Sequence, residues 1–178
     1  IERRGRVHEG DRALDGDVEV DRGRLALRRA ALAAVYPTEI RRGEKHSAEA
    51  GLGARTRFVK ADFMKLPFDD ASMDAAYAIE ATCHAPDKLA LFQEIARVLA
   101  PGAHFAGYEW CLTGRYDGAR AEHQAIKKGI EEGNALPDIW PEADVLRALE
   151  GAGLEVIAGR DLADEASPET PWYQPLAG

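Results

Sequence analysis

Asp74-Ala-Ala-Tyr-Ala-Ile-Glu80 is a short apolar run closed by an acid, and Lys88 to Ala100 and His104 to Trp110 follow it closely. In the middle piece, Leu91, Phe92, Ile95, Val98 and Leu99 recur at helical spacing, with Asp87 as a candidate N-cap and Pro101-Gly102 to stop the turn. The two flanking pieces read as strands. Two apolar strands joined by an amphipathic helix favour a parallel pair, because a parallel crossover needs a dozen or more residues and usually takes helical form. This stretch therefore predicts a βαβ unit.

The same grammar extends on both sides. Upstream, Thr38 is a candidate N-cap for a polar helix from Glu39 to about Ala50, closed by Gly51 and Gly53. Thr56-Arg-Phe-Val-Lys-Ala61 then alternates as a strand does and ends at Asp62, with Pro67 and Asp69-Asp70 marking the connection onward. Downstream, residues 116 to 133 suit a mostly polar helix with Ala121, Ile126 and Ile130 as its sparse apolar positions. Pro141 opens another helix carrying Val145, Leu146 and Leu149, and Leu154-Glu-Val-Ile-Ala158 reads as a last strand. The order predicts a doubly wound α/β domain with a mostly parallel sheet.

Residues 1 to 36 have a different texture, with eight Arg, no Lys, and Asp and Gly scattered without a period. Val18-Glu-Val20 could be a strand fragment, and the Ala and Leu content of Leu25 to Val35 would suit a helix. The expected division is an unassigned segment 1–37, divergent or mistranslated, followed by a partial domain 38–178.

At 178 residues and 46% hydrophobic, the chain suffices for one domain burying on the order of 70% of its unfolded surface. Its net charge of −8 lies in the part after residue 102, and no basic stripe is present, which argues against nucleic acid as a partner. Cys83 and Cys111 are too few for a disulfide framework and lack zinc-ligand spacing, so no metal is expected and a reducing compartment is the default. No apolar run approaches the ~20 residues needed to cross a bilayer.

In doubly wound sheets ligands bind beyond the carboxyl ends of the strands, so the residues closing each strand are the functional candidates. Those are Asp62-Phe63, Glu80-Ala-Thr-Cys-His84 and Tyr108-Glu109-Trp110. Phe58-Val-Lys-Ala-Asp-Phe-Met-Lys-Leu-Pro-Phe68, Tyr77-Ala-Ile-Glu-Ala-Thr-Cys-His-Ala-Pro86, Val98-Leu-Ala-Pro-Gly102 and Tyr108-Glu-Trp110 together resemble the sterol 24-C-methyltransferases. Tyr116-Asp117 and Pro171-Trp-Tyr-Gln-Pro-Leu176 add to the likeness, which covers roughly residues 38 to 178. The second string is the specific one. The strand-end Asp with Leu-Pro-Phe, and the helix ending in Val-Leu-x-Pro-Gly, fix only the class I methyltransferase superfamily.

The resemblance implies an incomplete Rossmann-like methyltransferase fold and S-adenosylmethionine as cofactor, with Asp62, Phe63, Glu80 and Ala81 on the cofactor side. It also implies methyl transfer to the side-chain double bond of a sterol in sterol biosynthesis. A carbon–carbon π bond attacks the sulfonium methyl, a tertiary carbocation forms, a hydride shifts, and a base removes a proton. Aromatic faces tolerate such a cation, at ~0.5–1 kcal/mol exposed and about 2 or more desolvated. Glu80, His84, Tyr108 and Glu109 are the candidates on the catalytic side.

Each has a bland alternative. Asp62 could be an exposed loop acid, Glu80 a partnered strand-end carboxylate, and His84 a ring that only bonds a backbone carbonyl. Tyr108 and Trp110 could be an aromatic pair under a helix, and alternation puts Glu109 on the opposite side of a continuous strand. Cys83, without an activating neighbour, reads as a buried packing residue. Trp172 and Tyr173 could touch substrate or a membrane interface, or stand exposed at the terminus.

Two departures from the family pattern stand out. The Asp-x-Gly-Cys-Gly-type loop expected before Thr38 has no match, because Gly10, Gly16 and Gly23 lack its spacing, and the family continues beyond the Trp-Tyr-x-Pro-Leu segment. A fragment is therefore the expectation. Three functions stay open: sterol methylation, a catalytically silent α/β remnant or interaction domain, and methylation of a tocopherol-like quinol or other small lipid. A sterol substrate would bring peripheral membrane contact, placing the chain in the cytosol or on the cytoplasmic side of the endoplasmic reticulum.

Overall fold

The computed structural model describes residues 5–6, 30–34 and 37–161. In chain order the elements are β1 (Gly5–Arg6), β2 (Ala30–Ala34), α1 (Pro37–Glu49), β3 (Thr56–Lys60), β4 (Met73–Ile79), a 3-10 turn (Thr82–His84), α2 (Lys88–Val98) and β5 (Leu99–Tyr108). They continue with α3 (Ala121–Asn134), α4 (Glu142–Gly151) and β6 (Leu154–Glu155). Among the described residues every strand-to-strand pairing is parallel, in a four-stranded sheet of order β4-β5-β1-β6 and a two-stranded sheet β2-β3. The βαβ unit expected from the sequence is present as β4-α2-β5, its two strands parallel neighbours.

Helix α2 forms as its pattern dictates. The Asp87 side chain accepts from the Ala90 amide at 2.9 Å, closing the N-terminus, and Leu91, Phe92, Ile95 and Val98 turn inward. Val145, Ala148 and Leu149 of α4 meet them, and Phe105 of β5 completes the layer, its ring centroid 6.2 Å from that of Phe92. Fully burying each large apolar side chain contributes about 1.5–3 kcal/mol. Ala76 and Ala78 of β4 face this core. Tyr77, Ile79 and Tyr108 point the other way and are exposed. The described residues therefore cover one face of the four-stranded sheet well, with α2 and α4, and leave large apolar groups on the other.

Several expected boundaries move. Of the helix suggested for Leu25 to Val35, the described part, Ala30–Ala34, is instead β2, which pairs in continuous register with β3 from Ala30↔Thr56 to Ala34↔Lys60, and the rest lies outside the described residues. That ladder overrides the helix preference of alanine. Helix α1 starts at Pro37, so Thr38 lies in its first turn rather than at its cap. Gly43 lets α1 lie close on β3, since a Cβ there would stand 2.3 Å from a Phe58 ring carbon. Pro101-Gly102 does not end the helix, which already stops at Val98. The pair sits inside β5, where the register jumps between Met73 and Ala75 and Gly102 takes φ +81°. The helix expected over 116–133 begins only at Ala121, because Tyr116 to Arg120 form turns, and the last strand stops at Glu155 rather than Ala158. Val18-Glu-Val20, Trp172 and Tyr173 lie outside the described residues.

The connection from β3 to β4 is held by α2. The Leu66 amide donates to Glu94 at 2.7 Å, and Arg97 donates to the carbonyls of Leu66 and Phe68 and to the carboxylates of Asp70 and Glu94. The Arg97 guanidinium beside it, followed by the Leu66 amide bond, holds the Glu94 carboxyl below the usual carboxylate range. The unfolded chain thus takes up the proton first as acid is added. The stabilisation is complete above the unfolded value of about 4.3 and lost as pH falls through the folded one. Glu94→Gln is expected to flatten the acid limb of a stability-versus-pH curve, read from denaturant midpoints. An unchanged limb would contradict this account of the loop.

Helix α3 ends at Ala135, a non-glycine residue in left-handed geometry at φ 53° whose amide bonds the Glu131 carbonyl. Ala135→Gly is expected to stabilise the chain by roughly 1 kcal/mol, because glycine occupies that conformation without a Cβ penalty. Thermal melting checks it. A lowered melting temperature would count against it.

Candidate active site

The carboxyl ends of β4 and β5 carry the site. Strand β4 stops because Glu80 turns left-handed at φ 48°, while its amide still reaches the Tyr108 carbonyl at 2.9 Å. That bond seats Glu80 beside the last residue of β5. A non-glycine residue held at positive φ costs of order 1–3 kcal/mol, and such strain collects at functional sites. The Glu80 side chain is exposed, as is Ala81 next to it.

Beyond Glu80 the chain tightens into the 3-10 turn. Thr82 and Cys83 are buried there and His84 is exposed. The Cys83 thiol donates to the Glu80 carbonyl at 3.1 Å, packs with Leu136 and Ile139, and burial pushes its pKa up. It is a packing residue, not a nucleophile. Burial likewise pushes the Cys111 thiol up to about 12. His84 places Nδ1 3.3 Å from the Ala135 carbonyl, the backbone bond its bland reading anticipated, which ties the turn to the end of α3.

Because β5 ends at Tyr108, strict alternation stops there and the three residues of Tyr108-Glu109-Trp110 diverge. Tyr108 is 48% exposed on the open sheet face. Trp110 joins the small cluster of Cys83, Leu136 and Ile139. Glu109 turns inward: the Thr82 hydroxyl donates to its Oε2, the Trp110 amide donates to its Oε1 at 3.0 Å, and the Lys88 Nζ lies 3.7 Å from Oε2. Lys88 also donates to the Thr82 carbonyl at 3.1 Å. Thr82 lies within the candidate stretch Glu80 to His84, whereas Lys88 lies outside every candidate site stretch the sequence singles out. A lysine opening a helix ordinarily reads as solvated, and only the fold shows otherwise.

Asp62 and Phe63 stand apart, after β3. Asp62 is exposed, and its Oδ1 accepts from the Met64 amide at 2.8 Å in a tight turn, while Phe63 is half-buried and packs against the main core. The structure thus gathers Glu80, Ala81, His84, Tyr108 and Glu109 at one end of the four-stranded sheet. Among the described residues no hydrogen bond or ion pair links Asp62 to them. No group of His, Cys, Asp or Glu among the described residues is placed to hold a metal ion.

Comparison with known proteins bears on the fold and the family. A family profile described as a methyltransferase domain matches residues 22–107. Geranyl diphosphate C-methyltransferase from Streptomyces coelicolor A3(2), solved with Mg2+, geranyl diphosphate and S-adenosyl-L-homocysteine, shares the fold. Its TM-score is 0.59 at 20% identity, over 68% of this chain and 44% of that one. Residues 22–107 are thus similar to a methyltransferase domain, and the fold agrees with that class. Cycloartenol-C-24-methyltransferase 1 of Oryza sativa subsp. japonica is 53% identical over 138 residues, 78% of this chain and 40% of the relative. Sterol 24-C-methyltransferase erg6 of Aspergillus fumigatus is 44% identical over 140 residues, 79% of this chain and 37% of the relative. Over these residues the chain is similar to the sterol 24-C-methyltransferases. It spans about 40% of the length of the curated relatives it matches.

The donor set suits S-adenosylmethionine on one side. Exposed carboxylates at strand ends accept from amino and hydroxyl groups and attract the positive charges of an ammonium and a sulfonium. Asp62 and Glu80 supply them. The glycine-rich cradle for the methionine end is not found among the described residues.

Proposed function

We propose that this chain carries the adenosine-side and acceptor-side parts of an S-adenosylmethionine-dependent sterol C-methyltransferase acting on a sterol side-chain double bond. The observation that carries the reading is Glu80: a strained, exposed carboxylate locked against the end of β5, in a chain about half identical to cycloartenol methyltransferases over 138 residues. Asp62 and Glu80 would hold S-adenosylmethionine, with Phe63 and Ala81 beside them. The bound cofactor supplies an electrophilic methyl group on a sulfonium.

The remaining residues answer the difficulty that follows attack, a tertiary cation in a site that must exclude water. Tyr108 offers an aromatic face beside Glu80, worth ~0.5–1 kcal/mol while exposed and about 2 or more once a sterol covers it. Glu109 places a fixed carboxylate behind it. His84, exposed in the turn beyond Glu80, serves as the acceptor of the departing proton. The sterol reaches the site from a membrane surface. Among the described residues no helix is long and apolar enough to cross one, and a peripheral contact at the cytosolic face of the endoplasmic reticulum suits the substrate.

Calorimetric titration of the chain with S-adenosylhomocysteine tests the cofactor half of the reading. Saturable binding is expected. Folded protein that gives no binding heat would instead favour a catalytically silent remnant.

A further inference from the structure

We infer that Lys88 is a positioning residue for methyl transfer, acting through Glu109, an inference that rests on the sterol methyltransferase reading above. Lys88 occupies the first position of α2 with its side chain only 1% exposed. Two costs attend that placement. An ammonium is taken out of water, and it stands at the helix N-terminus, where the macrodipole disfavours a cation. Helix α2 needs no lysine there for capping, since Asp87 already supplies the cap.

What answers the charge is a closed set of contacts around one carboxylate. The Lys88 Nζ donates to the Thr82 carbonyl at 3.1 Å and lies 3.7 Å from Glu109 Oε2, and Glu109 is itself 10% exposed. Thr82 donates its hydroxyl to the same oxygen, and the Trp110 amide holds Oε1. Every buried side-chain polar atom among the described residues has a partner, so the group is complete. One lysine therefore binds the 3-10 turn after Glu80 to the residue after Tyr108. It fixes the distance between the two strand ends on which cofactor and acceptor would meet, and it holds the Glu109 carboxylate in a single orientation.

The test is a double-mutant cycle in turnover, using the full chain with methyl-labelled S-adenosylmethionine and cycloartenol. Lys88→Met is expected to lower kcat about a hundredfold, as misplacement of about 1 Å does, with KM for S-adenosylmethionine within threefold of the unsubstituted chain. Glu109→Gln is expected to lower kcat similarly. The double substitution is expected to be no worse than Glu109→Gln alone, because Lys88 has then nothing left to position. Multiplying effects, or a Lys88→Met chain with full kcat, would overturn the proposal. Should Lys88→Met alone fail to fold, the double substitution leaves no unpaired buried charge, and full kcat in that chain also overturns it. Labelled sterol absent even from the unsubstituted chain overturns the sterol reading and this inference together, which distinguishes that failure from a failure of Lys88 alone.

Discussion

Glu80→Gly is expected to make the chain more stable and to weaken its hold on S-adenosylhomocysteine at least tenfold. The two effects have separate origins in one residue. Glycine takes φ 48° without the Cβ penalty that glutamate bears, a relief of roughly 1 kcal/mol. The carboxylate, in contrast, is the group we propose accepts from the cofactor, and a hydrogen bond to a charged group contributes about 1.5–3 kcal/mol, or about tenfold to a hundredfold in affinity. Glu80→Ala separates them, since it keeps the strain and removes the carboxylate. It should bind as poorly as the glycine variant without gaining stability. Thermal melting and calorimetry on the three proteins decide it. A glycine variant that binds normally would mean that Glu80 serves only to end β4.

Phe92→Ala is expected to cost about 3–5 kcal/mol, the range for emptying a buried aromatic site. Phe92 is 2% exposed, faces Phe105 across the contact between helix and sheet, and sits among Leu91, Ile95, Val145 and Leu149. Domain stabilities run to about 5–15 kcal/mol, so the loss would consume much of the total. Denaturant midpoints measure it. A loss under about 1 kcal/mol would show that the α2, α4 and β5 layer is not where the chain keeps its stability. The same layer carries β4 and β5 to their carboxyl ends, so a loosened core should also loosen the seat of Glu80 against Tyr108.

The parts of the fold legible in sequence are those where local and long-range preferences agree. Lys88 to Val98 has strong apolar periodicity, a capping aspartate and a core-facing stripe, and it forms as its pattern predicts. Where the two disagree, sequence misleads. Ala30 to Ala34 has the composition of a helix and becomes a strand because β3 offers it a parallel ladder. Pro101-Gly102 has the look of a helix stop, yet the turn has ended already and the pair serves as an irregularity inside β5.

The site divides in the same way. Strand-end positions for Glu80, Tyr108 and Asp62 follow from where apolar runs stop, and the structure puts them at or just beyond the strand ends. The inward turn of Glu109 does not follow, because alternation holds only while the strand lasts, and β5 ends one residue earlier. Nor does the left-handed turn at Glu80, since glutamate carries no conformational signal of the kind glycine does. Burial of Lys88 is the least legible feature of all. It depends on Thr82 and Glu109 converging from two other segments, which no single stretch of sequence displays.

Transfer of a labelled methyl group from S-adenosylmethionine by the full chain, offered cycloartenol and a tocopherol-like quinol side by side, tests the central claim most directly. The account predicts that label appears in the sterol, on its side chain, and that Glu80→Gly diminishes it. Label in the quinol alone, or in neither acceptor while S-adenosylhomocysteine still binds, would contradict it.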